Sequence, residues 1–204
     1  MASLRLAVAA AALAPLASGR INGTVYFRGG SYVFESGKSD PSGVAYGSFA
    51  TMNESVTGFG QLSIQTNTQG LYSDRLVKGV EASVERVSSA PNRSSLVVVF
   101  CIQMCSAQMF AAGFLEGALT APQIWLQWQN VDAWILGQFT DGVIPPSFQP
   151  FFETQDAWSR GQVAENTTST LWQLTGLILS QFDGLRAGYA AVAPPAQAIS
   201  DFCE

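Results

Sequence analysis

The sequence predicts an α+β fold in which strands come first and long helices follow, and three observations carry that prediction. Short apolar runs separated by Gly- and Ser-rich turns fill residues 25–65, the pattern of strands and hairpins. From residue 108 to 190 the apolar residues recur at spacings of three and four, the period of helices packed on a core. Finally, 48% of the 204 residues are hydrophobic and 12% are charged, so the chain can enclose a core rather than remain disordered.

Taken in order, Met1–Gly19 reads as a secretory signal. Arg5 supplies the positive start, Leu6–Leu16 the apolar stretch, and Ala17-Ser18-Gly19 a small-residue cleavage site. That leaves residues 20–204, about 185 residues, as one domain. Val25–Phe27 and Tyr32–Phe34 flank Arg28-Gly-Gly-Ser31, the signal of a hairpin. Ser36–Ser42 is a loop, and Val44–Phe49 and Phe59–Gln65 are two further strands. In the last of these Leu62 and Ile64 share one face, and Gln61, Ser63 and Gln65 the other.

Leu71–Lys78 is read as the start of a helix. Val80–Ala107 then falls into a polar half, Ser88–Ser95, and an apolar half, Leu96–Ile102. No charge occurs from Ser94 to Leu115, so hydropathy alone marks Leu96–Leu115 as either a membrane span or a buried helix.

Gln108–Trp125 organises the rest. At 100° per residue, Phe110, Ala111, Phe114, Leu115, Ala118 and Leu119 sweep one apolar arc. Gly113 and Gly117 lie one turn apart on the opposite side with Ala112 and Thr120, where another backbone can approach closely. Glu116 is the one charge of this stretch and needs a partner if it is covered. Pro122 ends or bends the helix.

Trp125, Trp128 and Trp134 have no basic residue between them, which suits core or carbohydrate-facing packing rather than stacking on bases. Asp141-Gly and Pro145-Pro146 mark a loop. Phe151–Gln162 is a helix ending around Gly161 to Asn166. Thr168–Ala190 is the most regular amphipathic helix, with Leu171, Leu174, Thr175, Ile178, Phe182 and Leu185 in line and Asp183-Gly184 weakening its last turns. Ala190–Pro195 closes it, and Ala196–Glu204 carries no capped element.

The chain has no histidine, which removes Ser-His-Asp and Cys-His machinery and every zinc site with a His ligand. Its three cysteines form no metal pattern, and neither a phosphate-binding nor a dinucleotide fingerprint occurs, so no cofactor or metal is expected. Glu153 and Asp156 lie on a polar helix face, as solvated carboxylates do. Ten scattered basic residues against a net charge of −5 argue against nucleic acid. With a secretory signal, the acceptor sequences at Asn22, Asn53, Asn92 and Asn166 predict a glycoprotein without a stable membrane anchor.

Four segments carry a resemblance to a known family. Met109–Pro122, MFAAGFLEGALTAP, resembles a motif of the phospholipase B-like (lamina-ancestor-like) hydrolases. Gly43–Gln65, Phe152–Arg160 and Thr170–Gly188 resemble segments of the same family in the same order. The resemblance implies an amino-terminal-nucleophile hydrolase of αββα architecture, secreted or lysosomal, acting on phospholipid esters or on amides. In such enzymes the nucleophile, here a cysteine, is the first residue freed by self-cleavage, and its own α-amino group, with a pKa near 8, is the base. A two-chain precursor follows, with its carboxy-terminal half as partner.

This sequence departs from the family in two places. The family pattern runs from something like YSDRLVKG almost directly into MFAAGFLEG, which makes about 80–107 an atypical insert, either a lineage-specific insertion or a translated intron. The family cysteine lies well downstream of TGLILSQFDGLRAG, beyond Glu204, and Cys203 comes too soon to match it. The expectation is an amino-terminal fragment without its nucleophile, in which Glu116 alone is a candidate for a supporting hydrogen bond. Phe110, Phe114, Ile178 and Phe182 would then await further polypeptide to complete the core. The second reading is a non-catalytic secreted glycoprotein or a defective gene product.

Overall fold

A computed structural model describes residues 19–51, 60–67, 93–139 and 142–199, with backbone alone for Thr51 and for 93–105. The leader, the sequons at Asn53 and Asn92, the segment Leu71–Lys78, residues 80–92 of the 80–107 segment and Cys203 lie outside the described residues, and the side chains of Cys101 and Cys105 are not described.

The predicted order of elements is the observed one. Strands β1 (Arg20–Arg28), β2 (Ser31–Ser36), β3 (Ala45–Thr51) and β4 (Gly60–Thr66) form an antiparallel sheet in the order β2-β1-β3-β4. Gly29 and Gly30 join β1 to β2 with φ of +60° and +84°, the conformation of a two-residue hairpin turn that a Cβ would oppose. Register follows the pleat, with Val25 opposite Phe34 and Ala45. One face therefore collects Val25, Ala45 and Phe49, with Phe34, Leu62 and Ile64 around them. The other face presents Thr24, Tyr26, Tyr46 and Ser48.

Helix α1 (Arg93–Leu119) lies along the apolar face of the sheet. Its predicted arc is the one that is buried: Ala111, Phe114, Leu115, Ala118 and Leu119 are all covered, Leu115 completely. Phe110 and Phe114 do not wait for further polypeptide, contrary to expectation. Tyr32 of β2 reaches over both, with ring centroids 4.7 and 5.9 Å away, and fills the space locally. Helix α1 crosses the 107/108 boundary of the atypical segment without a break. Among the residues described with their side chains, no helix is long and apolar enough to cross a membrane, and half of the Leu96–Leu115 window lies outside them.

Helix α2 (Ala121–Leu136) starts at once after Thr120, with Pro122 in its first turn, where a missing N–H breaks no bond. Helix α3 runs from Phe148 to Glu165, starting three residues earlier than the periodicity predicts because Pro150 also fits in a first turn. Gly161 sits inside it rather than at its end, and Asn166 caps it.

Helix α4 (Thr170–Val192) packs on the side of α1 away from the sheet. Here the small face of α1 finds its partner. A Cβ at Gly113 would overlap the carbonyl of Gln181, and one at Gly117 the carbonyl of Leu185. The fit is reciprocal: a Cβ at Gly184 would strike the Phe110 carbonyl, and one at Gly188 the Phe114 carbonyl. Gly184 thus does not weaken the last turns of α4, as expected from propensity. It is buried in the crossing, and the helix continues eight residues past it to Val192. The layers run sheet, α1, α4.

Candidate functional site

Glu116, the one catalytic-role candidate, stands beside the glycine crossing. Gln181 of α4 donates its amide Nε2 to Glu116 Oε2 at 3.1 Å, so the carboxylate links the two helices instead of facing a cleft. Thr120 donates its hydroxyl to the carbonyl of Glu116 at 2.7 Å and closes the last turn of α1. The predicted need for a partner is met by an amide.

Other polar clusters are structural as well. Asp40 gathers the loop that folds over the polar face of the sheet. It accepts from the backbone N–H of Ser42 at 2.9 Å, the hydroxyl of Tyr26 at 2.7 Å and the ammonium of Lys38 at 2.9 Å. These donors, the Ser42 N–H first, hold its carboxyl well below the usual carboxylate range. The side chain of Ser42 also bonds to Asp40, so the carboxylate is shared among four groups of the loop and β1. Thr24, fully buried, donates to the Lys38 carbonyl and accepts from the Asp40 N–H, which pins the loop to β1.

Glu153 and Asp156 are exposed, as predicted. Asp156 pairs with Arg160 at 2.7 Å, and Arg160 also forms a two-pronged bond to Asp183 of α4, both contacts at 2.9 Å. Among the described residues no His, Cys, Asp and Glu cluster could hold a metal ion.

Beside the C-terminal half of α4 lies an open groove of about 650 Å³. Ile124, Phe182, Leu185, Tyr189, Pro194 and Ile199 give it apolar walls, with Asp183 and Arg186 among its polar lining. The Tyr189 hydroxyl donates to the Gln197 carbonyl and ties the segment after α4 back over the helix. A short 3-10 turn, Pro195–Gln197, gives that segment more order than its sequence predicts. Nothing in this groove forms a nucleophile and base, and sequence reasoning did not find it, since it depends on the chain returning after α4.

Two of the four sequons are described. Asn22 is half-buried on β1 opposite Ser48, and its carbonyl accepts from the Gly37 N–H. Asn166 caps α3 and donates Nδ2 to the carbonyl and to the side-chain oxygen of Gln162.

Comparison with known sequences is decisive at this point. The profile of the phospholipase B family matches residues 98–202, more than half of the chain. The chain belongs to the phospholipase B family. Three of the four resembling segments fall within that match, and Gly43–Gln65 precedes it. Human phospholipase B-like 1 is 40% identical over 80 residues, which cover 39% of this chain and 14% of that protein. Phospholipase B-like protein G of Dictyostelium discoideum is 41% identical over 85 residues, 40% of this chain and 14% of that protein. Phospholipase B of Crotalus adamanteus is 34% identical over 80 residues, again 39% and 14%. The aligned stretch is thus a small part of each relative's length. The family match covers α1 from Val98 onward together with α2, α3 and α4.

Proposed function

We propose that this phospholipase B family chain is a scaffold portion of an acyl hydrolase that acts on phospholipid esters or amides. The carrying observation is the family match over 98–202, which coincides with the glycine-sealed pair α1 and α4. In this reading the chain supplies one sheet and one helical layer of an αββα amino-terminal-nucleophile scaffold. A sheet with one face given to helices and the other lined by Thr24, Tyr46 and Ser48 is compatible with that sandwich. Glu116 then acts as a positioning residue through Gln181 and touches no substrate. Acyl transfer needs an activated nucleophile. With no histidine in the chain and Asp40 engaged by Tyr26, Lys38 and Ser42, that step in this reading falls to other residues of the enzyme.

The same absence supports a second reading, a non-catalytic secreted glycoprotein. In both readings the leader pattern and four sequons support export, to the medium or the lysosome, with glycans at Asn22, Asn53, Asn92 and Asn166. The experiment is secretion of the 204-residue chain together with human phospholipase B-like 1 from which the matched segment has been deleted. The purified complex should carry glycosidase-sensitive mass and release fatty acid from phosphatidylcholine or from an N-acyl substrate. A complex that forms and releases none would favour the non-catalytic reading.

A further inference from the structure

Between α2 and α3 the chain turns through a stretch without charge. Gly142–Phe152, GVIPPSFQPFF, holds no Asp, Glu, Lys or Arg. Its apolar side chains are not drawn into the core: Val143 and Phe151 are more than half exposed, and Ile144, Phe148 and Phe152 at least two-fifths. Gly142 turns the chain with a φ of +65°, and the Phe148 N–H donates to the Pro145 carbonyl at 2.9 Å where α3 begins. Phe148, Phe151 and Phe152 stand at i, i+3 and i+4, so they share one side of the first turns of α3. Their rings brace one another edge to face. Phe148 lies 6.0 Å from Phe139 and 5.3 Å from Phe152, and Phe152 lies 5.5 Å from Phe151. Helix α3 has no buried residue, and it meets α4 further along, through Trp158, Arg160 and Val163.

We propose that this aromatic tip docks on the surface of a phosphatidylcholine bilayer. The proposal deepens the reading of the chain as part of a phospholipid hydrolase, and rests on it, by naming the surface that such an enzyme would meet. A contiguous exposed apolar patch marks a docking surface. At a bilayer the five side chains would enter the boundary between headgroups and acyl chains, to a depth of about 5–10 Å. That is a reversible contact and not an anchor.

Charge selects the lipid. The outermost charge of a phosphatidylcholine layer is the quaternary ammonium of choline, and aromatic faces attract such a cation. Asp141 and Glu153 flank the uncharged stretch in sequence, and no Lys or Arg occurs between Arg93 and Arg160 to repel choline. An anionic layer recruits proteins through clustered cations, which this part of the chain lacks. The sequon at Asn166 caps the far end of α3, about 27 Å along the helix at 1.5 Å per residue. A glycan there would leave the tip clear.

The test mixes the purified 204-residue chain with phosphatidylcholine vesicles and measures the fraction that sediments with them. Binding is expected, and the pair Ile144→Ser with Phe151→Ser should weaken it by roughly tenfold or more, as loss of buried apolar side chains does. Phe151→Trp should retain it, because an indole suits the same boundary. The control is the exposed apolar seam of α4, formed by Leu171, Leu174 and Ile178. There the pair Leu174→Ser with Ile178→Ser should leave vesicle binding unchanged. Because these side chains are exposed, neither pair should shift the melting of the chain, which separates lost docking from lost folding. Five outcomes overturn the proposal: no sedimentation of the unaltered chain, binding indifferent to the tip pair or abolished by the seam pair, tighter binding to phosphatidylglycerol vesicles, release by millimolar phosphocholine, or a tip-dependent complex with a second copy or with the deleted human phospholipase B-like 1. The readout is binding, so tip-dependent docking by a complex that hydrolyses nothing would contradict the proposed activity and leave this surface standing.

Discussion

Asp40 shows how a single side chain sets the outer face of the sheet. Its donors come from Ser42, Tyr26 and Lys38, on the loop and on β1. They favour the ionised form, so the native carboxyl titrates below its unfolded range near 3.9. The sign is that of a depressed acid. Its contribution to stability is complete above that range and is withdrawn as pH falls below about 4 toward the native pKa. Asp40→Asn removes this titration. Urea midpoints of the two proteins should therefore differ at pH 6 and converge as acid is added. A gap that stays constant from pH 6 to pH 3 would show that the ionised form is not what the loop requires. The sequence shows Ser36–Ser42 as a loop but not this hub, because Tyr26 and Asp40 meet only once the strand and the loop have folded back on each other.

At the scale of elements, the apolar arc and the glycine face of α1 were both legible, because a 3.6-residue period places each residue before any partner is known. What covers each face was not legible. The sheet takes the arc, and Tyr32, thirteen residues before Ala45 and far from Phe110 in sequence, supplies the aromatic cover. Propensity also misleads at Gly184, where a residue that weakens an isolated helix is what permits the crossing with α1. Glycine-to-alanine changes should thus split by sign. Gly117→Ala must push against the backbone of Leu185 and should cost about 1–3 kcal/mol, as overpacking does. Gly161→Ala, in the open interior of α3 with nothing near its new methyl, should add roughly 0.5–1 kcal/mol. Chemical denaturation of the two variants checks both, and equal midpoints would mean the helices are not as close as described.

For the whole molecule, the α+β order and the family were legible, the first from patterning and the second from four ordered segments. A reactive site was not, and the described residues show why. Glu116 is bound to Gln181, Asp40 to its loop, and Arg160 to two carboxylates, so the charged groups of the interior and its rim are committed to holding elements together. The exposed seam of α4 is apolar, and in the groove that continues it past Phe182 the carboxylate of Asp183 is held by Arg160. The central claim is that this chain builds part of a hydrolase without performing its chemistry. Fatty acid release from phosphatidylcholine by the purified 204-residue chain alone, at acidic and at neutral pH, tests it most directly. The account predicts release no faster than in buffer, and steady turnover that disappears with Cys203→Ala would contradict it.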